Sequence, residues 1–382
     1  MEIVSGEGLA GCAGAVSKNL PGQVVLILQG GGALGSYQAG VYQALHEAGI
    51  EPDWVVGTSI GAVNASIIAG NQAQDRLARL SEFWGSVEQS PILDFRRTFP
   101  GFGEDFSHWA TITRGITNFF QPNLFAQFGE TYPLGAENAG YYSTVPLERT
   151  LEKLVDFDLI NRTGPRLTIG AASVTTGQMR YFDTCDDVVT VKHVMASGAL
   201  PPAFPAVRID GELYWDGGIL SNTPTEVVFD ENPRKNSLVF SVQLWNPIGS
   251  EPTTMAEVFT RQKDIQYSSR IGTQIERQQQ IHFLRHVISE LEMRLPEAER
   301  DTAAVRELAS YGCRTRIHVV RLLAPQLDRE RHTKDIDFSP TGIMLRWKAG
   351  YAHTRAALEQ APWRGEFNPL SGVVLHERKE WS

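Results

Sequence analysis

Cysteine is scarce in this sequence: Cys12, Cys185 and Cys313 are far apart and odd in number. That excludes a disulfide framework and points to a reducing compartment. No cluster of Cys and His has zinc-ligand spacing, so a structural metal is not indicated. Long hydrophobic runs are missing as well. Val24 to Leu28, and Ala62 to Gly70 with its Asn64 and Ser66, are too short or too polar to span a bilayer. The first twenty residues lack the basic start and apolar stretch of a secretory leader. The expectation is a cytoplasmic protein whose membrane contact, if any, is peripheral. Positive charge is in deficit: 35 Lys and Arg stand against 44 Asp and Glu, a net charge of -9. No nucleic-acid partner is expected from that balance. There is also no internal repeat and no low-complexity tract.

What remains is a globular composition, 42% hydrophobic and 21% charged over 382 residues, enough for a large core. Residues 1–22 read as a flexible tail. Val24 to Leu28 is a short continuous apolar run, which suits a strand covered on both faces. It ends at Gly30-Gly31-Gly32, and an amphipathic helix follows with Tyr37, Val41, Leu45 and Ala48 on one face. Gly49 stops that helix. Trp54-Val55-Val56 reads as a second strand ending in Gly57, and Ile60 to Ala69 as a helix of small residues.

This alternation predicts an α/β fold, with a mainly parallel central sheet flanked by helices. Further strands are expected at Arg166 to Ala172, Gln178 to Phe182, Val188 to Val191, Leu238 to Leu244 and Arg316 to Leu322. An aromatic-rich insertion occupies about 91–142, read both as buried packing and as a lid or acyl-chain wall. Residues 251–382 form a helical and strand elaboration packed on the 23–250 unit. Within it, Met255 to Arg294 has helical spacing at Ile265, Ile271, Ile275 and Leu284, and Ile343 to Leu358 is a final helix.

Three constellations carry chemistry. Gly57-Thr58-Ser59-Ile60-Gly61 fits G-x-S-x-G between a strand and a helix, where a serine on a strained turn exposes its Oγ. The helix that follows turns its amides, with partial positive charge, towards a developing oxyanion. Gly30-Gly31-Gly32-Ala33-Leu34-Gly35 leaves backbone N–H groups uncovered, a nest for a phosphate or a tetrahedral oxyanion. The same glycines satisfy the dinucleotide pattern G-x-G-x-x-G. That pattern wants an acid at the end of the second strand, whereas Asp53 precedes it. Third, Asp216-Gly217-Gly218 follows Pro201 to Pro205 and precedes Asn222-Thr223-Pro224. Alone, an Asp-Gly pair is more often a turn.

Together, in this chain order, the three resemble the patatin-like phospholipase family, over roughly Val24 to Pro224. Ala196-Ser197-Gly198-Ala199 before the aspartate matches as well. The resemblance implies a three-layer α/β fold and a serine ester hydrolase acting on lipid esters, phospholipid or lysophospholipid. It implies Ser59 as nucleophile, Asp216 as its partner in a dyad without histidine, and Gly30, Gly31 and Gly32 as oxyanion donors, with no metal or organic cofactor expected. Gly35, Gly57, Gly61, Gly217 and Gly218 support those motifs. The family's usual charged residues before the glycines and beside them are replaced here by Gln29 and Leu34.

Two other readings stay open on the residues alone. A Ser-His-Asp triad would draw on His282, His286, His318, His332, His353 or His376, none of them in a recognisable active-site loop. His282 and His286, four apart on a helix, read as solvated or satisfied; His46 and His193 read as structural. A lipid-binding or scaffold protein on the same fold would keep the motifs without turnover. Arg261, Lys263, Arg270, Arg277, Arg285 and Arg294 could meet anionic lipid, but interspersed acids favour a solvated face. A homo-oligomer through that helical arm is equally compatible.

Overall fold

The computed structural model describes residues 20–88, 116, 118–123, 131–268, 271–327 and 333–377. Most of the tail at 1–22 and most of the aromatic insertion at 91–142 therefore lie outside the described residues, as do Cys12, Arg270 and His332.

Strands follow in chain order: β1 Gln23–Leu28, β2 Trp54–Thr58, β3 Gln121–Pro122, β4 Tyr142–Ser143, β5 Arg166–Ser173, β6 Met179–Asp183, β7 Val207–Ile209, β8 Glu212–Asp216, β9 Ser237–Gln243, β10 Ile317–Leu323 and β11 Val373–His376. β3 and β4 form a small ribbon of their own. The others make one sheet in the order β11-β10-β9-β1-β2-β5-β8-β7, with β6 also on β5. From β11 to β5 every pairing is parallel, and β6, β7 and β8 add antiparallel pairs.

β1 lies at the middle, which explains its unbroken apolar run: both faces are covered. Val24, Leu26 and Leu28 join the cluster holding Tyr37, Val41, Ile343 and Trp347. Val25 and Ile27 join the opposite cluster with Val228, Ile271 and Ile275. Two layers of helix thus sandwich the sheet, the arrangement a parallel sheet requires. The C-terminal third is built into this sheet, since β10 and β11 extend it beyond β9.

Several sequence expectations change in three dimensions. The Ser36–Glu47 helix is buried from Ser36 to Leu45, with no solvent face. The Pro340–Gln360 helix covers its outer side, where Trp347 Nε1 donates to Gln43 Oε1 at 2.6 Å. Val188 to Val191 is not a strand. Thr190 and His193 form a reciprocal capping box there, and the Val191–Ser197 helix begins instead.

Of the apolar stripe on the Met255–Ser268 and Ile271–Arg294 helices, Ile271 and Ile275 are buried while Ile265 and Leu284 are exposed. His282 and His286 are not solvated. Both are buried, and the two ring nitrogens of His282 have no partner among the described residues. Burial, with Arg285 and Arg234 nearby, pushes His282 down to about 4. Asp53 has a structural task, its Oδ2 accepting the Val24 amide at 2.7 Å.

Candidate active site

The register of β5 brings the motifs together. A strand has two edges, and β6 occupies one of them along Thr168 to Ala172. On the other, Gly170 pairs with Thr58, and the next residue, Ala171, pairs with Asp216. β8 therefore takes up the edge where β2 stops, at the point where the chain turns into the Ile60–Ala69 helix.

That turn is Ser59, with φ 57° and ψ -125°, a conformation that costs a non-glycine residue free energy. The surroundings hold it. The Ser59 amide donates to Ser197 Oγ at 2.9 Å, and Ser197 Oγ donates to the Gly170 carbonyl at 2.6 Å. A Cβ on Gly61 would lie 2.1 Å from the Leu28 carbonyl oxygen, so only glycine lets the helix start this close to β1. Gly57 faces Gly61 across the same turn, and Gly217 packs against the Gly170 carbonyl.

Asp216 is buried, and it lines the same cavity as Ser59. Its Oδ1 also accepts the Gly218 amide at 2.7 Å. Burial pushes the carboxyl up to about 6, against the lowering effect of the Ser59 hydroxyl and the Gly218 amide. A serine hydroxyl on such a carboxylate has a proton acceptor matched to near-neutral pH.

The glycine loop departs from expectation at one residue. The Gly30 amide is already donated to the Asn222 carbonyl at 3.2 Å. Among the described residues, the Gly31 and Gly32 amides carry no hydrogen bond and border the same cavity as Ser59 and Asp216. Gly32 has φ 55°, and a Cβ there would lie 2.2 Å from the Asp335 carbonyl oxygen. Gly35 ends the 3-10 turn after the loop, and Asn64 Nδ2 donates to its carbonyl at 3.0 Å.

Gln29 and Asn64 belong to a buried polar network that residue-by-residue reading missed. Asn64 Nδ2 also meets Gln38 Oε1 at 2.8 Å, and Gln38 Nε2 donates to the Gln29 carbonyl at 2.6 Å. The Gln29 side chain reaches Thr223 Oγ1 at 2.7 Å and accepts the Trp245 amide at 3.1 Å. An uncharged residue at 29 thus joins the glycine loop to the strand end at β9. Leu34 is buried, and the cations bordering it, Lys334 and Arg346, come from the C-terminal third.

The cavity measures about 290 Å³. Its walls are apolar: Ile60, Val63 and Leu147 from helices, Phe119, Phe120 and Tyr142 from the aromatic stretch, and Leu200 and Phe204 from the segment before β7. Phe120 stands 4.9 Å from Tyr142 and 5.6 Å from Phe204 between ring centres, edge to face. At Phe119, Phe120 and Tyr142 the aromatic stretch is thus both packing and cavity wall, whereas Tyr132 and Tyr141 are exposed. Trp245, Tyr267, Ile336 and Phe338 complete the lining. Trp245 could have been found, since it directly follows a parallel strand's C-terminal end, where α/β sites gather. The residues at 267 and 335–338 gave no such signal. His46, His193, His282, His286, His318, His353 and His376 all lie outside the lining.

A family profile described as patatin-like phospholipase matches residues 26–229, and a second, described as patatin phospholipase, matches 265–370. The chain belongs to the patatin-like phospholipase family. The human patatin-like phospholipase domain-containing protein 6 is 38% identical over 212 residues, 53% of this chain and 12% of that one. The lysophospholipase nte1 of Aspergillus terreus is 24% identical over 271 residues, 64% of this chain and 15% of that one. Curated relatives are much longer, the aligned part spanning 30% of a mycobacterial NTE-family protein. The crystal structure of VipD from Legionella pneumophila aligns over 89% of this chain and 67% of its own, with 17% identity and a TM-score of 0.36. In this patatin-like chain no described helix is long and apolar enough to cross a membrane.

Proposed function

We propose that this chain hydrolyses acyl esters of lipids, phospholipid or lysophospholipid, through an acyl-enzyme on Ser59. The observation that carries the reading is Ser59 itself: held at positive φ, and sharing the lining of one apolar cavity with the buried Asp216. In the first half-reaction Ser59 Oγ attacks the ester carbonyl and its proton passes to Asp216. The oxyanion is received by the Gly31 and Gly32 amides, which need no reorganisation to accept it. Collapse expels the alcohol, which takes the proton from Asp216. Water then attacks the acyl-Ser59, again giving its proton to Asp216, and the fatty acid leaves with Ser59 restored.

The aromatic and aliphatic walls suit an acyl chain, and the lysophospholipase name of the Aspergillus relative supports a lipid ester. Residues 23–250 would hold the reacting groups, while Tyr267, Ile336 and Phe338 close the acyl side. No histidine is needed, because Asp216 at about 6 is itself a competent base.

Intact-mass spectrometry after fluorophosphonate treatment tests this. One adduct on the wild type that disappears in Ser59→Ala, with loss of ester turnover, is the expected result. A folded Ser59→Ala variant that still turns over lipid ester would refute it.

A further inference from the structure

We infer that Trp245, assisted by Asn222, is a positioning residue that sets the direction of the Gly31 amide. The inference rests on the proposed role of that amide as oxyanion donor. The Gly30–Gly31 peptide is not among the cis bonds, so it is trans. In a planar trans peptide the C=O and the following N–H point in opposite directions. Whatever holds the Gly30 carbonyl therefore aims the Gly31 N–H.

Two donors hold that carbonyl. Trp245 Nε1 donates to it at 2.8 Å and Asn222 Nδ2 at 3.1 Å. On the far side of Gly30, its amide is fixed to the Asn222 carbonyl at 3.2 Å. Such restraint is required here because three consecutive glycines have the least intrinsic backbone stiffness of any sequence. An oxyanion donor is useful only if its direction is set before the charge appears.

The indole is itself immobilised. It is 2% exposed, its backbone amide bonds to Gln29 Oε1 at 3.1 Å, and its ring lies 4.9 Å from Tyr267. Lys334 Nζ sits 5.3 Å over the ring, and Lys334 is in turn held by Asp264 at 2.6 Å. Besides the Asp335 backbone packed at Gly32, the C-terminal third thereby bears on the glycine loop through the indole N–H.

Two replacements separate the N–H from the ring. Trp245→Phe keeps an aromatic side chain, and benzothienylalanine at 245 keeps the bicyclic shape while exchanging the N–H for sulfur. Both are compared with wild type on a soluble aryl ester, and against a trifluoromethyl ketone that Ser59 converts to a hemiketal oxyanion. The expected result is a kcat lowered about tenfold to a hundredfold, with KM within about twofold. Affinity for the ketone falls by the same factor as kcat, which a purely structural role would not produce.

Wild-type kcat and ketone affinity in the benzothienyl protein would overturn the inference. So would a raised KM with kcat unchanged, which would make Trp245 a substrate-packing residue. Either result leaves the Ser59 reading intact, provided Ser59→Ala remains inactive. Turnover by Ser59→Ala would remove the reading on which the inference stands.

Discussion

Ser197 Oγ joins Ser59 to β5, accepting the Ser59 amide at 2.9 Å while donating to the Gly170 carbonyl at 2.6 Å. The strained turn is thus tied to the strand on which β8, ending in Asp216, pairs. Ser197→Ala leaves a buried amide without its acceptor and a carbonyl without its donor. We expect a loss of about 1–3 kcal/mol in stability. Turnover should fall about tenfold or more, because a small shift of the nucleophile is costly. Thermal melting and kcat on the same preparation check both, and unchanged kcat would free the turn from dependence on Ser197.

Asp216 gives a pH dependence with a definite sign. Its folded pKa, about 6, lies above the ordinary carboxylate value. The base must be ionised, so kcat/KM should rise with pH through about 6. An acid limb near pH 4 would contradict the assignment.

Stability runs the other way. A group whose folded pKa is raised contributes fully below its unfolded pKa, and that contribution is lost as pH rises through the folded value. Asp216→Asn removes the cost of an ionised buried carboxylate. The variant should be inactive yet more stable than wild type above pH 6, by on the order of 1–3 kcal/mol. Denaturant titrations at acidic and alkaline pH should show the gap widening with pH.

Lys334 and Asp264 are 4% and 1% exposed and 2.6 Å apart. Lys334→Met strands a buried carboxylate, and a loss of about 3–5 kcal/mol is expected. Lys334→Met combined with Asp264→Leu should recover most of it. A single variant as stable as wild type would show that water reaches the pair.

Val63 lines the cavity from the Ile60–Ala69 helix. Val63→Phe should shift preference towards shorter acyl chains. The ratio of kcat/KM for a long over a short p-nitrophenyl ester should drop about tenfold to a hundredfold. An unchanged ratio would place the acyl chain elsewhere.

Local patterns made much of this legible. The run at Val24 to Leu28 fits its central place in the sheet, and the glycines around Ser59 fit the close passage of helix over strand. Expectation failed where neighbours distant in sequence intervened. Ile265 shares the helical spacing of Ile271 but is exposed among the described residues, while Ile271 packs into the cluster under β1 and β9. His282 reads as solvated or satisfied, yet it is buried beside Phe229 with neither ring nitrogen bonded among the described residues.

By itself the sequence determined the alternation of strands and helices and the turn at Ser59, while Asp216 as its partner followed only from the resemblance of three motifs in order. These depend on short-range patterning and on residue types that only certain turns accept. Tertiary structure decided which two of the three glycine amides are free, what holds the peptide before Gly31, and that burial raises the Asp216 carboxyl. It also decided that Tyr267, Ile336 and Phe338 close the cavity. Hydrogen bonds such as Trp245 to Gly30 span 215 residues, and no local period encodes them. They exist because β9 lies beside β1 in the sheet, which brings the ends of both strands to one place.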